Sequence, residues 1–332
     1  MSKTLALDTG FGWTKGQTTR EQVIFPSLVG PAEAIRFESD VIAANGHGIA
    51  VEVDGKWYFV GEQAELQSAS GQQTLDATRT GSTEQKALFY AVTSELVRTN
   101  DTEISIVTGL PVGDYNDTHK IRLRKMLLGE HTVKRAGKRT RHFVVDNVYI
   151  MPQAFGALFS LVLDRRGKLA DSDLAAGRVG IIDIGTLTTN YILSDRLRYV
   201  EVGSDSITTG TSEALRKIAK DLRDRYGLDW TLQLGKVDRA VRAGQVEIQG
   251  QPIDIADLVK PHFDAIADTI TAHARTLWGA GVDLKAVVVT GGGSYKLAPH
   301  IASVYPHTRT VGGDPQFANC LGYLRAGLRK FG

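Results

Sequence analysis

Apolar residues in this chain fall into two kinds of run. Short unbroken runs end at an aspartate or at glycines. Thr4-Leu5-Ala6-Leu7 precedes Asp8, Val179-Gly180-Ile181-Ile182 precedes Asp183, and Ala286-Val287-Val288-Val289 precedes Thr290-Gly291-Gly292-Gly293-Ser294. Runs of this length, bounded by turn residues, predict buried strands. Ile104 to Thr108, ended by Gly109-Leu110-Pro111, and Phe143 to Ile150 predict two more, and Glu21 to Phe25 predicts a returning strand stopped by Pro26. Val51-Glu52-Val53 and Trp57-Tyr58-Phe59-Val60 flank Asp54-Gly55, a strong hairpin signal. The second kind of run is helical. Ser82 and Gln85 resemble a capping box, and Ala87, Leu88, Ala91, Val92 and Leu96 share one face of the helix that follows toward Arg98. Pro152 is expected to open a helix through Leu163. Further helices are expected over Ser212–Tyr226 and Ile255–Trp278, with Pro261 at a first turn or a kink, and shorter ones near Tyr295 and Pro315. Residues 30–50 show no clear period.

The order of these elements repeats. A strand reaching an aspartate, a glycine turn, a returning strand, helices and another strand occur once in each half of the chain. The polar stretch from Arg165 to Ala176 reads as the linker between them. The repetition predicts a duplicated α/β unit.

Bulk composition narrows the classes. A chain of 332 residues is long enough for two domains, and 42% hydrophobic with 23% charged residues is ordinary for a globular protein. A net charge of +2 gives no whole-protein reason to invoke nucleic acid or an anionic membrane. The single cysteine, Cys320, precludes an intrachain disulfide and fits a reducing compartment, so a cytoplasmic location is expected. No apolar run approaches the ~18 residues of a membrane span. The eight histidines show no metal-ligand spacing.

The candidate chemistry lies in the glycine turns. Asp8-Thr9-Gly10-Phe11-Gly12-Trp13-Thr14-Lys15 and Asp183-Ile184-Gly185-Thr186-Leu187-Thr188-Thr189 each open with a carboxylate. Glycines let a backbone approach phosphate and turn its N–H groups inward. Lys15 adds positive charge there. Asp8 would repel phosphate directly, so its role would be to hold hydrated Mg²⁺. Thr186, Thr188 and Thr189 offer hydroxyls. The spacing of a Walker A loop is absent. Taken singly, each turn also fits a plain hairpin or a strand-to-helix turn; the ordered set of three points to a nucleotide. The run Lys134-Arg135-Ala136-Gly137-Lys138-Arg139-Thr140-Arg141-His142 could meet DNA phosphates or an acidic partner, but reads first as a solvated hairpin tip, because charge runs usually face solvent and no aromatic residue interleaves it.

In this order the motifs resemble the phosphate-1 loop, connecting helix, phosphate-2 loop, adenosine loop and final helix of the actin, Hsp70 and sugar-kinase superfamily. Within it, the chain most resembles the bacterial and archaeal actin-like ATPases of the plasmid-segregating ParM type. Phe25-Pro26-Ser27-Leu28, Tyr58-Phe59-Val60-Gly61-Glu62 and Gly109-Leu110-Pro111-Val112 support the likeness. The resemblance implies an α/β actin-like fold, two duplicated RNase H-like domains around a nucleotide cleft. It implies one domain at 1–151, with 317–332 packing back on it, and a second at 152–316. ATP or ADP with Mg²⁺ is the implied ligand, with Asp8 and Asp183 holding the metal through water. Lys15 is implied at the β-phosphate, and Thr9, Gly10, Phe11, Gly12 and Trp13 around the phosphates, although Phe11 stands where actin-type loops often carry serine. Gln153 resembles the residue that orients the attacking water, so Gln153, Asp183 and Asp8 form the implied catalytic set. Gly185, Thr186 and Thr188 match the second phosphate loop. Gly291, Gly292, Gly293, Ser294 and Tyr295 match the adenosine edge, with Ser206 to Glu213 closing the other side of the base. Asn190 departs from the pattern, since relatives tend to carry Asp or His there, and this implies slow hydrolysis. The implied activity is ATP hydrolysis coupled to filament assembly for DNA segregation or intracellular positioning. The implied partners are further copies and a DNA-bound adaptor, with no direct contact to membrane or nucleic acid. Two alternatives remain: a small-molecule kinase of the same superfamily, for which Asp114 is the first candidate base, and a monomeric nucleotide-dependent binding protein.

Overall fold

The computed structural model describes residues 3–32, 48–68, 72–73, 80–231 and 233–332. Most of the stretch from 30 to 50 whose period could not be read, namely 33–47, lies outside them. The chain divides into two compact units, Met1–Ser172 with Phe317–Gly332, and Asp173–Gln316.

The first unit is built on a six-stranded sheet. Its spatial order is Gln22–Pro26, Trp13–Gln17, Lys3–Thr9, Glu103–Leu110, Arg141–Pro152 and Gly129–Val133. Lys3–Thr9 runs antiparallel to Trp13–Gln17 and parallel to Glu103–Leu110, which is parallel to Arg141–Pro152. Such central parallel strands are covered on both faces, which explains the unbroken apolar run from Thr4 to Leu7. Helix Thr83–Leu96 and the last helix, Ala318–Phe331, pack against this sheet. A smaller sheet, ordered Ile49–Val53, Lys56–Val60, Leu28–Pro31 and Gln72–Gln73, carries the expected hairpin. Asp54 and Gly55 both have positive φ, 49° and 80°, the left-handed pair of a type I′ turn.

The second unit repeats the plan with five strands, ordered Arg198–Ile207, Thr189–Asp195, Arg178–Ile184, Ala286–Thr290 and Thr308–Thr310. The pairings are again antiparallel, antiparallel, parallel and parallel. Helices Thr211–Tyr226, Leu234–Ala243, Ala256–Trp278 and Ser294–Val304 bury their apolar faces in one core with Ile182, Tyr191 and Val289. Pro261 lies inside Ala256–Trp278 without ending it.

Three sequence expectations need correction. Pro152 closes a strand rather than opening a helix: it pairs with Leu110, and the helix begins only at Phe155 and runs to Val162. A residue before proline is driven to extended backbone, which suits Met151 in a strand. The unit boundary falls at Ser172/Asp173, so 152–172 belong to the first unit. The physical reason is a close helix crossing: a Cβ on Gly322 would stand 1.7 Å from Gly156 O, and one on Gly156 would stand 2.5 Å from Asn319 O. Two glycines let the backbones of Phe155–Val162 and Ala318–Phe331 touch, and this welds both to the first unit. Finally, Ser82 caps its helix by accepting from Gln85 N at 3.2 Å, but the Gln85 side chain does not return to Ser82. Its Oε1 accepts from Gly81 N at 2.7 Å, and its Nε2 donates to Thr9 Oγ1 at 3.3 Å.

Candidate functional site

In the first unit the site is a hairpin turn with a buried carboxylate at its root. Asp8 is 3% exposed, at the end of its strand. The antiparallel register sets Lys15 directly opposite, and Lys15 Nζ lies 3.0 Å from Asp8 Oδ2. Gln153 Nε2 donates to the other oxygen, Oδ1, at 2.8 Å. Gly10 N donates to Trp13 O at 3.0 Å, leaving Phe11 and Gly12 at the tip. A Cβ on Gly10 would stand 2.8 Å from Trp13 O, so the turn requires glycine. Ser27 pins it from behind, with Oγ donating to Gly10 O at 2.7 Å and N donating to Gly12 O at 2.9 Å. The Phe11 side chain is buried, so only its backbone is available at the tip.

Gln153 is held at both of its backbone groups. Its N–H donates to Leu110 O at 2.8 Å, and its carbonyl accepts from Tyr323 Oη at 2.8 Å. Tyr323 reaches it across Gly109, where any Cβ would collide with Oη at 2.0 Å. The side chain is thus aimed at Asp8 by the fold rather than by its own rotamer preference. Asp114 sits in a single 3₁₀ turn, Val112–Asp114, after the strand.

The second unit builds the same turn. Asp183 is 4% exposed, and its register partner seven residues on is Asn190, as Lys15 is to Asp8. Gly185 N donates to Thr188 O at 2.9 Å, the same closing bond, with Thr186 and Leu187 at the tip. The start of helix Thr211–Tyr226 is clasped onto this turn, Thr211 N donating to Gly185 O at 3.0 Å and Ser212 N to Thr186 O at 2.8 Å. Gly291 abuts the carboxylate. Its φ is +85°, and a Cβ there would stand 2.4 Å from Asp183 Oδ1. Gly293 N donates to Ile184 O at 3.0 Å, and Ser294 Oγ to Gly291 O at 2.8 Å, so Gly291 to Ser294 and the Asp183 turn form one assembly.

Tyr295 follows at the start of its helix, with the Arg242 guanidinium 4.5 Å from its ring centre. Arg242 also donates to Gly292 O at 3.1 Å and to Asp238 Oδ2 at 3.0 Å. Burial, and secondarily the Asp238 charge, push the Tyr295 phenol up. Sequence reasoning did not single out Arg242 or Asp238. The available signal was their i, i+4 spacing on a helix, which ordinarily marks a solvated pair. Each unit therefore assembles its own half of the anticipated residues: Asp8, Gly10, Lys15 and Gln153 in the first, and Asp183, Gly185, Thr186, Thr188 and Gly291 to Tyr295 in the second. Among the described residues no group of three or more His, Cys, Asp or Glu is arranged to hold a metal ion, and no helix is long and apolar enough to cross a membrane.

Comparison with known proteins agrees with this architecture. Residues 6–156 match the N-terminal domain of actin-like proteins, and residues 181–303 match the C-terminal domain of the archaeal MreB-like actin homologue. The chain belongs to the actin-like proteins. In structure it is similar to a non-polymerisable quadruple mutant of pCBH ParM, at 26% identity over 100% of both chains with a TM-score of 0.79. It is similar to the subunit of a 15-stranded ParM filament from Clostridium botulinum, at 24% identity over 100% of both chains and a TM-score of 0.81. It is also similar to the archaeal actin homologue Ta0583 in complex with ADP, at 21% identity over 98% of this chain and 99% of that one, with a TM-score of 0.78. No curated protein sequence matches the chain.

Proposed function

We propose that this protein binds Mg²⁺-ATP through its Asp8 and Asp183 turns, hydrolyses it slowly and assembles into filaments that segregate DNA or position cargo. The observation that carries the reading is the bracketing of the Asp8 carboxylate by Lys15 and Gln153, beside a glycine-dependent turn that recurs at Asp183. A buried carboxylate next to an ammonium suits an anionic ligand that brings its own cation, since neither charge alone would tolerate burial. The glycine turns suit phosphate, because no Cβ stands between backbone and ligand. The ADP bound by the archaeal relative and the filaments of the ParM relative favour the same conclusion.

Bound Mg²⁺ would offset phosphate charge as the transferred group develops negative charge. Lys15, on its flexible stem, supplies a point charge to the phosphate while anchored on Asp8. Gln153 spends one amide N–H on Asp8, which leaves Oε1 to accept a proton of water and set its oxygen toward phosphorus. An amide is too weak a base to remove that proton, so its contribution is positioning. Asn190, uncharged, takes no proton either, which keeps turnover slow. A ligand that favours one conformation of the subunit by differential affinity would also favour one set of ends. Head-to-tail contacts that do not close a ring extend into filaments.

Sedimentation with Mg²⁺-ATP, Mg²⁺-ADP and no nucleotide, with phosphate release followed in parallel, tests this. Polymer that requires ATP, with phosphate released to water, is the expected result. Absence of polymer under every condition defeats the filament reading, and phosphate transfer only to an added small-molecule acceptor favours the kinase.

A further inference from the structure

The first unit carries a feature that nucleotide binding does not use. Residues 117–142 hold nine Lys and Arg against two Asp and Glu, a net +7 in a chain of net +2, so the remainder sums to −5. Several of these cations are committed. Arg135 is buried against Glu95, Arg141 Nε donates to Val97 O at 3.0 Å, and Lys134 pairs with Glu52 at 3.1 Å. Arg122 and Lys125, both exposed on helix Asp117–Leu127, make no side-chain hydrogen bond or ion pair among the described residues. They line a groove of about 700 Å³. Lys86, paired with Asp54 at 2.8 Å, also lines it, and Tyr90, Met126 and Leu128 supply apolar lining. Leu128 is exposed there, as is Ile121 on the same helix.

A sheet edge borders the groove. Gly129–Val133 is the outermost strand of the six-stranded sheet, and Glu130 and His131 line the groove. Further along the same segment, Lys134 O accepts from Glu52 N at 3.1 Å and Ala136 N donates to Ala50 O at 3.0 Å. Even-numbered residues therefore turn their backbone groups away from Arg141–Pro152. Lys134 and Ala136 are covered by Ile49–Val53, which ends at the Asp54-Gly55 turn. Glu130 and Thr132 continue the edge past that turn, and no backbone bond covers them on that side among the described residues.

We propose that this groove docks an extended acidic segment of a partner protein, which adds a strand along Glu130–Thr132 and sets carboxylates against Arg122 and Lys125. Main-chain bonds at a free edge give affinity, and side-chain pockets give selectivity. Charge complementarity chooses acidic side chains. The apolar lining, Met126 and Leu128, and the open strand edge argue against a nucleic-acid backbone, which would gain nothing from either.

The test uses the full chain and fluorescence anisotropy with a labelled peptide of repeating Glu-Val. Controls are the same peptide N-methylated at alternate residues and a short duplex DNA. The expected result is binding of the plain peptide, loss of binding on N-methylation, and an affinity about tenfold weaker in the Arg122→Ala/Lys125→Ala double variant. These two exposed side chains leave the core intact, and an unchanged melting temperature confirms folding. No binding up to ~1 mM, equal binding of the methylated peptide, or indifference to the double substitution overturns the proposal. Tighter binding of DNA with the same Arg122 and Lys125 dependence would also overturn it, and would assign the surface to phosphate.

Discussion

Gln153 and Asp8 lie 145 residues apart and share a 2.8 Å hydrogen bond, amide to carboxylate, at the root of the first turn. Because Tyr323 and Leu110 hold the Gln153 backbone, the side chain can be changed without moving its support. Gln153→Ala is expected to lower ATP turnover by about 10–100-fold while leaving nucleotide affinity within a few-fold, since only the geometry of the reacting water is lost. Steady-state phosphate release beside calorimetric titration separates the two. Parent-level turnover in the variant would assign water positioning to another residue.

Lys15 is mostly buried and rests on Asp8. Asp8→Ala is therefore expected to cost about 3–5 kcal/mol of stability, because it strands a buried ammonium. Removing both charges in Asp8→Ala/Lys15→Met should cost less than the single change. Urea unfolding of the three proteins checks the order, and a double variant less stable than Asp8→Ala would contradict it.

Asn190 occupies in the second hairpin the register position that Lys15 occupies in the first. It is 2% exposed and faces Asp183, itself 4% exposed. Asn190→Asp sets two carboxylates opposite each other, and about 1–3 kcal/mol of stability should be lost at neutral pH. One of the pair then takes up a proton more readily folded than unfolded, so the deficit should shrink as pH falls. Saturating Mg²⁺ should shrink it as well. Thermal melts with and without Mg²⁺ across pH test both statements.

Gly322 lies where the Phe155–Val162 and Ala318–Phe331 backbones meet. A methyl group there has no space against Gly156 O, and a backbone atom cannot rotate aside. Gly322→Ala should cost about 3 kcal/mol or more, despite alanine's better helix propensity. Chemical denaturation would detect this directly, and a neutral result would mean that the two helices separate without cost.

His131 offers a pH dependence. Its ring is packed between Phe89 and Phe143, with Nε2 2.8 Å from Leu127 O and Nδ1 3.5 Å from Tyr90 Oη. The neutral tautomer with the proton on Nε2 satisfies both contacts. Burial, with the Lys86 charge beyond Tyr90, holds its pKa below the ordinary histidine value. The unfolded chain therefore binds the proton more readily, and stability should fall as pH drops through the ordinary histidine range near ~6.5. His131→Phe should flatten this part of the stability profile, as read from melting temperatures between neutral and mildly acid pH.

The two turns were legible because their determinants are local. An apolar run, an aspartate, a glycine two residues on and a returning strand fix both register and closing bond within about ten residues. The type I′ turn at Asp54-Gly55 was legible for the same reason. The polar stretch from Arg165 to Ala176 did hold the unit boundary, at Ser172/Asp173. The limit at 151/152 that the resemblance implied did not hold, because Gly156 and Gly322 are ordinary helix residues in sequence and become a contact only when distant helices cross. The Gln153 to Asp8 bond was not foreseen: the resemblance implied only that both residues serve one site, and no sequence period links positions so far apart. Arg242 stayed hidden behind its own regularity. Its i, i+4 aspartate accounted for it, and its bond to Gly292 O spans 50 residues.

The return of Ala318–Phe331 to the first unit bears on the order in which the chain can fold as it is made. Gly327 packs against Thr4 and Val107, and Cys320 Sγ lies 3.5 Å from Ala6 O. Strand Lys3–Thr9 thus waits for helix Ala318–Phe331, made far later, before one of its faces is covered. Asp173–Gln316 is continuous and can close as soon as it emerges. A nascent chain would hold a finished second unit beside an unfinished first one whose apolar sheet face is still bare. That interval is where a chaperone would have its hold.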